Sequence, residues 1–360
     1  MHIEDLDTPA LLVDLDGLED NLDRYQRYFD EHGIGLRPHI KTHKCVAIAH
    51  MQMRRGAIGI TCQKLGEAEV MAAGGVDRDI LIPYNIIGAQ KLARLVALAR
   101  TSTSSVESDT RLTVAADSEY TVQGLAAAAA EADVTVGVVV ELDRGRTVVG
   151  SPEAAAALGE KIDKAPIIEL RGIMSLPASP DMRPLIQETL AYFDRKGLPH
   201  PIVSGGSTPG AFMAHEIPEL TEYRAGEYPV GGVGHFRRGT HSVDQCAGRV
   251  LMTVVSRPAA NRAILDGGSK SLSAAVHRQE DGSSIMGHIV EYPQAVFSGA
   301  SEEHGQVDLS ACDDKPQIGE QVQVLPVHPC PCFNEHDQIF AVRRGRVEAV
   351  WPVDARGQIR

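Results

Sequence analysis

Apolar positions along the first 230 residues recur in short runs that alternate with amphipathic segments of helical length. The run "PALLVDLD" at 9–16 is typical of a strand, and the following segment has apolar residues at helical spacing, namely Leu18, Leu22, Tyr25 and Phe29. Further strands are predicted at 36–40, 57–62, 79–84, 111–117, 136–143, 167–176, 201–206 and 227–231. Because these runs are rich in Val and Ile and most are followed by a helix-sized gap, the pattern predicts parallel strands joined by helices.

Eight such units over about 200 residues predict a (β/α)8 TIM barrel, an α/β fold. The competing fold is an open, doubly wound sheet, but no G-x-G-x-x-G motif follows an early strand. The polar segment "TSTSSVESD" at 101–109 is expected to form an exposed loop.

The pattern changes after about residue 245, where short apolar runs are separated by turns with little room for helices. The runs lie at 249–258, 262–268, 286–293, 320–327 and 339–353. They predict a smaller antiparallel β domain after the barrel. The expected organisation is a first strand within 1–16 that could join the β domain, a barrel at 17–244, and a C-terminal β domain at 245–360.

Charge and composition narrow the possible partners and the location. The formal net charge is −13, which argues against a nucleic acid or an anionic membrane as partner. No apolar run approaches the roughly 20 residues that span a bilayer. The N-terminal "MHIEDLDTPALL" lacks the pattern of a secretory signal, so the cytoplasm is the expected location. Six cysteines in a chain of 360 residues do not predict a disulfide scaffold.

The stretch "RPHIKTHK" at 37–44 concentrates basic side chains in the second half of the first predicted barrel strand and directly after it. Catalytic groups of such barrels lie at the carboxyl ends of the strands, where Lys41 would stand. Neighbouring cations favour the free amine of a lysine, which is the form that attacks an aldehyde to give a Schiff base. The alternative is a surface lysine whose neighbours hold carboxylates.

A glycine-rich segment, "SGGSTPG" at 204–210, follows the seventh predicted barrel strand. Its glycines would expose backbone N–H groups, and Ser207 and Thr208 would add hydroxyl donors. Barrels commonly bind phosphate after strands seven and eight, and Tyr228 at the predicted start of strand eight could bind the same phosphate. The alternative is a plain glycine-rich turn.

The segment "VHPCPCFN" at 327–334 contains the clearest candidate metal ligands. His328 and Cys330 are two residues apart, so on an extended segment their side chains would face the same way. Imidazole and thiolate together suit Zn²⁺, and two protein ligands leave room for water or a substrate oxygen. Glu303 and His304 are candidates for a third ligand, and Cys332 has the same phase. The alternative is a turn with buried thiols.

Together these motifs resemble the D-threonine aldolase and D-serine dehydratase family of metal-activated pyridoxal phosphate enzymes. These are fold type III enzymes with an alanine-racemase-type barrel. The resemblance runs over nearly the whole chain, with the segments at 37–44, 204–210 and 327–334 in the order of the family. It implies a Schiff base between Lys41 and pyridoxal 5′-phosphate. It also implies phosphate ligands at Gly206, Ser207, Thr208 and Tyr228, and a divalent metal on His328 and Cys330. Zinc is the first choice, and manganese or magnesium are the alternatives.

The resemblance also implies a small-molecule D-amino acid substrate, a lyase reaction and a homodimer. The favoured reaction is β-elimination of the hydroxyl from D-serine or D-3-hydroxyaspartate. The alternatives are retro-aldol cleavage of D-threonine or D-3-hydroxyaspartate to glycine and an aldehyde, a metal-free racemase, and a non-catalytic carrier of pyridoxal phosphate. Two positions depart from the family pattern: Val148 replaces the usual Arg, and Leu176 stands where a Tyr is common. The segment 172–182 also lacks the His that is thought to deprotonate the substrate hydroxyl in aldolases.

Overall fold

The computed structural model describes residues 1–103, 112–143, 145, 147, 149–279 and 282–360. The chain divides into two units. The barrel unit contains Tyr25–Lys41, Ile48–Gly226 and Gln358–Arg360, and the β unit contains Met1–Arg24, Thr42–Ala47 and Glu227–Gly357. These units are groups of residues that contact one another, and a domain is a part of the chain that could fold alone. The domain ranges expected from the sequence therefore stay a prediction. Within the described residues, no helix combines the length and the apolar character needed to cross a bilayer.

After a short 3-10 helix at Ile3–Asp5, the chain forms strand β1 (Ala10–Asp14) and helix α1 (Leu15–Glu31). The barrel strands that follow are β2 (Gly35–Leu36), β3 (Ile60–Thr61), β4 (Ile80–Ile82), β5 (Leu112–Ala116), β6 (Val136–Asp143), β7 (Ile168–Leu176), β8 (Ile202–Gly206) and β9 (Glu222–Arg224). The helices between them are α2 (Val46–Arg54), α3 (Leu65–Ala73), α4 (Ala89–Thr103), α5 (Glu119–Ala132), α6 (Pro152–Asp163) and α7 (Arg183–Lys196). Short 3-10 helices lie at Pro180–Met182 and Ala211–Glu216.

The eight barrel strands form one parallel sheet in the order β2-β9-β8-β7-β6-β5-β4-β3. A parallel bridge between His39 and Thr61 joins the two ends of this order. The amide of Ile40 donates to the Thr61 carbonyl at 2.9 Å, and the Thr61 amide donates to the Pro38 carbonyl at 2.7 Å. The sheet is therefore closed, which confirms the predicted (β/α)8 barrel.

The last barrel strand lies earlier than predicted. The sequence pattern placed it at 227–231, but the structure has a turn there and places β9 at Glu222–Arg224. Charged residues at both ends of β9 hid this strand from a search for apolar runs. Glu222 is nevertheless buried, because Arg37 after β2 donates to its carboxylate at 2.8 Å. A charged residue can thus be buried in a barrel strand when an opposite charge pairs with it, even though the strand is not apolar.

The β unit contains strands β10 (Gly248–Ala259), β11 (Arg262–Leu265), β12 (His277–Arg278), β13 (Ser284–Ile285), β14 (Gly287–Ile289), β15 (Val296–Ala300), β16 (Gly305–Asp308), β17 (Gln321–Pro326), β18 (Gln338–Arg343) and β19 (Arg346–Pro352). Nine strands pair in the order β11-β16-β15-β14-β17-β10-β1-β18-β19, and a further β10–β11 pairing closes six of them into a ring. The pairing is antiparallel except between β1 and β18. The predicted antiparallel β domain is thus confirmed, and β1 belongs to its sheet. Short helices are α8 (Val233–Arg237), α9 (Ser269–Leu272) and α10 (Pro329–Glu335).

Two sequence predictions concern residues that are outside the described part of the chain. Of the expected loop at 101–109, only 101–103 are described, and they form the end of α4. Val148 lies outside the described residues.

Candidate cofactor and metal sites

Lys41 is the last residue of the first barrel-unit segment and directly follows the backbone contacts that close the barrel. Its side chain is half-buried, and within the described residues its amino group makes no hydrogen bond or salt bridge. The neighbouring His39 is buried, and its Nε2 lies 3.1 Å from Gln63 Oε1. Burial lowers the pKa of His39 well below its usual value, and the positive charge of Lys41 lowers it further. His39 is therefore neutral, and Lys41 keeps an accessible amino group.

The glycine-rich segment forms a tight loop at the end of β8. Ser207 has φ +105°, a left-handed conformation that is rare for residues other than glycine, and its N–H donates to the Arg224 carbonyl at 3.1 Å. A Cβ at Gly206 would lie 3.0 Å from Leu176 Cδ1, so this position has little room for a side chain. Thr208 Oγ1 accepts the Gly226 N–H at 3.1 Å. The half-buried Ser207 hydroxyl has no hydrogen-bond partner within the described chain. The Ser207 hydroxyl is therefore a donor that remains available to an anion such as phosphate.

A buried cation in β9 was missed by the sequence analysis. Arg224 is 3 % exposed, its Nε donates to Ser204 Oγ at 2.8 Å, and its Nη2 donates to the Ser175 carbonyl at 2.8 Å. Burial lowers the pKa of Arg224 to about 10. Arg224 remains charged at neutral pH and adds positive charge at the end of β9. A strand assignment at 222–224 would have identified it.

Tyr228 belongs to the β unit and lies in the turn at 227–231, not at the start of a strand as predicted. It is 1 % exposed, and its carbonyl accepts a hydrogen bond from His241 Nε2 at 3.1 Å. Its role as a phosphate ligand stays a prediction.

His328 and Cys330 come together with a third residue, Glu227, in the β unit. One ligand atom from each of the three lies within 4.8 Å of the others. His328 Nε2 is 3.0 Å and Cys330 Sγ is 3.5 Å from Glu227 Oε1. Imidazole, thiol and carboxylate are the groups that zinc prefers, so the three residues fit a divalent metal.

The segment that carries His328 and Cys330 was expected to be extended, but most of it is helical. His328 is the N-cap of α10, and Cys330 lies in the first turn of that helix. The helix directs Cys332 elsewhere: its buried Sγ lies 3.3 Å from the Ser271 carbonyl. Cys330 and Cys332 therefore have different surroundings although they are two residues apart.

The third residue of this cluster is neither Glu303 nor His304, the two candidates predicted from the sequence. Glu303 is exposed and bonded to Lys270 at 2.6 Å, and His304 Nδ1 lies 3.4 Å from Ser301 Oγ. Burial would raise the pKa of Glu227, but hydrogen bonds from His235 and His328 outweigh it and lower the pKa far below the usual range. Glu227 stands directly before Tyr228 in the sequence, but only Tyr228 was predicted as a ligand there.

Comparisons with known proteins agree with this fold. The putative serine dehydratase domain matches residues 247–342, and the alanine racemase, N-terminal domain, matches residues 13–233. The chain is 31% identical to D-threonine aldolase from Arthrobacter sp, over 98% of this chain and 93% of the relative. It is 32% identical to D-threo-3-hydroxyaspartate dehydratase from Delftia sp., over 90% of this chain and 91% of the relative.

Two solved structures are also similar. D-threonine aldolase from Filomicrobium marinum has a TM-score of 0.87 and 31% identity, with 99% of this chain and 97% of that chain covered. A cysteine-to-alanine variant of D-threo-3-hydroxyaspartate dehydratase, described as a metal-free form, has a TM-score of 0.86 and 26% identity, with 98% of each chain covered. The chain therefore belongs to the alanine racemase N-terminal domain family, in the group that contains D-threonine aldolase and D-threo-3-hydroxyaspartate dehydratase.

Proposed function

We propose that this protein is a lyase of D-3-hydroxy amino acids that uses pyridoxal 5′-phosphate and a divalent metal. The proposed reaction is elimination of the β-hydroxyl, as in a D-serine or D-3-hydroxyaspartate dehydratase. The observation that supports it best is the cluster of Glu227, His328 and Cys330. A metal-free racemase or a passive cofactor carrier would have no use for three convergent metal-binding groups.

The two groups have complementary chemistry. Pyridoxal phosphate, when bound, supplies an electron sink for charge that develops at the substrate α-carbon, and a divalent metal supplies a Lewis acid for the β-oxygen. Both ease the loss of a hydroxyl, which is otherwise a poor leaving group.

The residues of the chain divide the remaining tasks. Lys41 Nζ would attach the cofactor covalently and, once the substrate amine has replaced it there, would be free to take the α-proton of the substrate. The loop of Gly206, Ser207 and Thr208, with Tyr228, would hold the phosphate. The position of the phosphate would fix the orientation of the cofactor and therefore the direction of the substrate α-proton relative to Lys41. A substrate held in the wrong orientation reacts slowly.

His328 Nε2 and Cys330 Sγ would hold the metal. Thr42 Oγ1 lies 3.0 Å from Cys330 Sγ, so its hydroxyl can donate to a thiolate and stabilise the negative charge. Zinc is the proposed metal because a thiolate and an imidazole suit it, and manganese and magnesium are the alternatives. The proposal also includes that the protein is a homodimer and that it acts in the cytoplasm.

A second candidate is retro-aldol cleavage to glycine and an aldehyde. It is favoured by the 31% identity to a D-threonine aldolase. Cleavage requires a base for the substrate hydroxyl, however, and the segment 172–182 contains no His. Leu176, the half-buried last residue of β7, offers no proton acceptor there. Elimination is therefore the first choice.

The test is product analysis of protein loaded with pyridoxal phosphate and Zn²⁺ or Mn²⁺. D-serine, D-threonine and D-3-hydroxyaspartate are each supplied, and keto acid, ammonia, glycine, aldehyde and L-amino acid are measured. Dehydration predicts equal amounts of keto acid and ammonia, with loss of turnover in EDTA and recovery on adding metal. Racemisation that persists in EDTA would contradict the proposal, and glycine with aldehyde would favour the second candidate.

The two cysteines of α10 provide a matched pair of variants. Cys330→Ala should lose metal-dependent turnover but still bind pyridoxal phosphate. Cys332→Ala removes the same thiol two residues away and should keep turnover, because its Sγ contacts the Ser271 carbonyl and not the cluster. Equal loss in both variants would indicate a structural effect of the helix.

A further inference from the structure

Glu227 is held in a fixed position by its own turn. Its carbonyl accepts the N–H groups of Val230 at 3.2 Å and Gly231 at 2.8 Å. Its side chain is 26% exposed, so it is partly shielded from water. A carboxylate on a fixed backbone aims its oxygens in defined directions.

The two carboxylate oxygens of Glu227 have different partners. Oε2 lies 2.6 Å from His235 Nε2, whereas Oε1 faces His328 Nε2 at 3.0 Å and Cys330 Sγ at 3.5 Å. His235 is 2% exposed and is itself held, because its Nδ1 lies 3.2 Å from Thr240 Oγ1. One oxygen is therefore engaged by a buried imidazole, and the other points to the two predicted metal ligands.

The two distances from Glu227 Oε1 are close to those between ligands of a single zinc ion. In a tetrahedral site with Zn–O and Zn–N of about 2.0 Å and Zn–S of about 2.3 Å, an O and an N ligand lie about 3.3 Å apart, and an O and an S ligand about 3.5 Å apart. The observed distances from Glu227 Oε1 are 3.0 Å to His328 Nε2 and 3.5 Å to Cys330 Sγ. Of these two contacts, the one between His328 and Glu227 must widen slightly and the one between Cys330 and Glu227 already has the expected length.

We propose that Glu227 is a third protein ligand of the metal through Oε1 and that His235 is the positioning residue that orients it through Oε2. This inference rests on the proposed function, in which the protein uses a metal. It adds a ligand to His328 and Cys330, the two that the sequence motifs predict. The set then has three protein ligands and one open position for a substrate oxygen, as in catalytic zinc sites. A thiolate and a carboxylate together cancel the charge of Zn²⁺, so binding the ion leaves no net charge in a partly buried cluster.

The alternative is that Glu227 serves only as the ion-pair partner of His328. The two possibilities differ in what loss of the carboxylate does to the metal. Loss of a residue that binds the metal directly should lower metal affinity by more than about 10–100-fold, the range that is typical for loss of a group that only orients a ligand. If Glu227 only competes for His328, its removal should leave affinity unchanged or raise it.

The experiment measures Zn²⁺ affinity of the purified full-length protein by competition with a chromophoric chelator. Glu227→Gln should weaken binding by more than about 100-fold, and His235→Gln by about 10–100-fold. Glu303→Gln is the matched control: it makes the same change at an exposed acid of the β unit and should bind Zn²⁺ like the wild type. Circular dichroism confirms that each variant is folded, and Glu227→Asp should recover part of the affinity.

Co²⁺ in place of Zn²⁺ gives a second readout that does not depend on turnover. The wild type should show the strong ligand-field absorption of a four-coordinate site together with a thiolate-to-cobalt band. Glu227→Gln should lose ligand-field intensity but keep the thiolate band, because Cys330 still binds. His235→Gln, saturated with Co²⁺, should keep the wild-type spectrum, since His235 orients the ligand without touching the metal.

The outcomes separate this inference from the proposed function. If Glu227→Gln binds Zn²⁺ as tightly as Glu303→Gln and its Co²⁺ spectrum is unchanged, the Glu227 ligand is refuted while a metal-dependent lyase remains. If the wild type binds no metal and racemises its substrates, both proposals are refuted.

Discussion

The buried ion pair of Arg37 and Glu222 should make a large contribution to the stability of the barrel unit. Arg37 is 2% exposed and Glu222 is 3% exposed. Arg37 donates to Glu222 Oε2 from Nε at 2.9 Å and from Nη2 at 2.8 Å, and its Nη1 reaches Asp79 Oδ1 at 3.0 Å. The perturbation is Glu222→Gln, which keeps the volume and removes the charge.

The expected cost follows from what remains around Arg37. Removing one partner of a buried pair costs about 3–5 kcal/mol, because the other charge is left without compensation. Asp79 still neutralises part of that charge, but it is 25% exposed and therefore better solvated. We expect a loss near the lower end of that range, about 3 kcal/mol in the free energy of unfolding.

The assay is urea unfolding of the full chain followed by far-UV circular dichroism. With a denaturant slope of about 3 kcal/mol per M, a loss of about 3 kcal/mol lowers the midpoint by about 1 M. Glu169→Gln is the matched control, since Glu169 is 58% exposed and bonded to Arg171 at 3.0 Å on the same barrel. Its loss should cost only about 0–1 kcal/mol.

A double variant tests whether the pair itself is responsible. Replacing both Arg37 and Glu222 by Met removes both charges, so its cost should be clearly less than the sum of the two single replacements. The reasoning is refuted if Glu222→Gln unfolds at the same midpoint as Glu169→Gln, or if the costs of the two single replacements simply add.

Three further predictions concern the cofactor and the effect of pH. Lys41→Ala should lose both the visible absorbance of bound pyridoxal phosphate and all turnover; a fully active variant would contradict the assignment. Ser207→Ala or Thr208→Ala should weaken pyridoxal phosphate binding roughly ten-fold or more, since a bond to a charged group contributes about 1.5–3 kcal/mol; unchanged affinity in both would place the phosphate elsewhere. Burial lowers the pKa of His241 to about 4 from the ordinary 6.5. The unfolded chain therefore takes up this proton first, and about 3 kcal/mol of stability should be lost as the pH falls from 6.5 to 4. Urea midpoints should fall less steeply over that interval in His241→Gln, and a slope equal to that of the wild type would count against the assignment.

The apolar pattern was sufficient to predict the barrel but not the position of its last strand, β9. Strands such as β6 are apolar because helices cover one face and the barrel interior the other, so their sequence alone reveals them. β9 is short and begins and ends with charged residues that find partners inside the barrel. The partner of Glu222 is 185 residues away, and nothing in the local sequence reveals that contact.

The metal cluster was only partly predictable for a similar reason. His328 and Cys330 stand out because their side-chain types and spacing are local properties. Glu227 precedes Cys330 by 103 residues, so only the folded chain reveals their contact. The two-residue spacing of His328 and Cys330 was interpreted for an extended segment, yet Pro329 stands at the start of α10, where the missing N–H of proline has no cost.

The contact between Arg37 and Glu222 also has a consequence for biosynthesis. The guanidinium is made 185 residues before its carboxylate partner, and ribosomes add about 5–20 residues per second. For about 10–40 seconds Asp79, which is partly exposed, is the only one of the two carboxylate partners of Arg37 that has been made, so burial of Arg37 is disfavoured during that time. Stable docking of the first barrel strand is therefore expected to follow the synthesis of the last one. The nascent barrel consequently has two open sheet edges during most of its synthesis, and this is the interval in which a chaperone would protect the chain from aggregation.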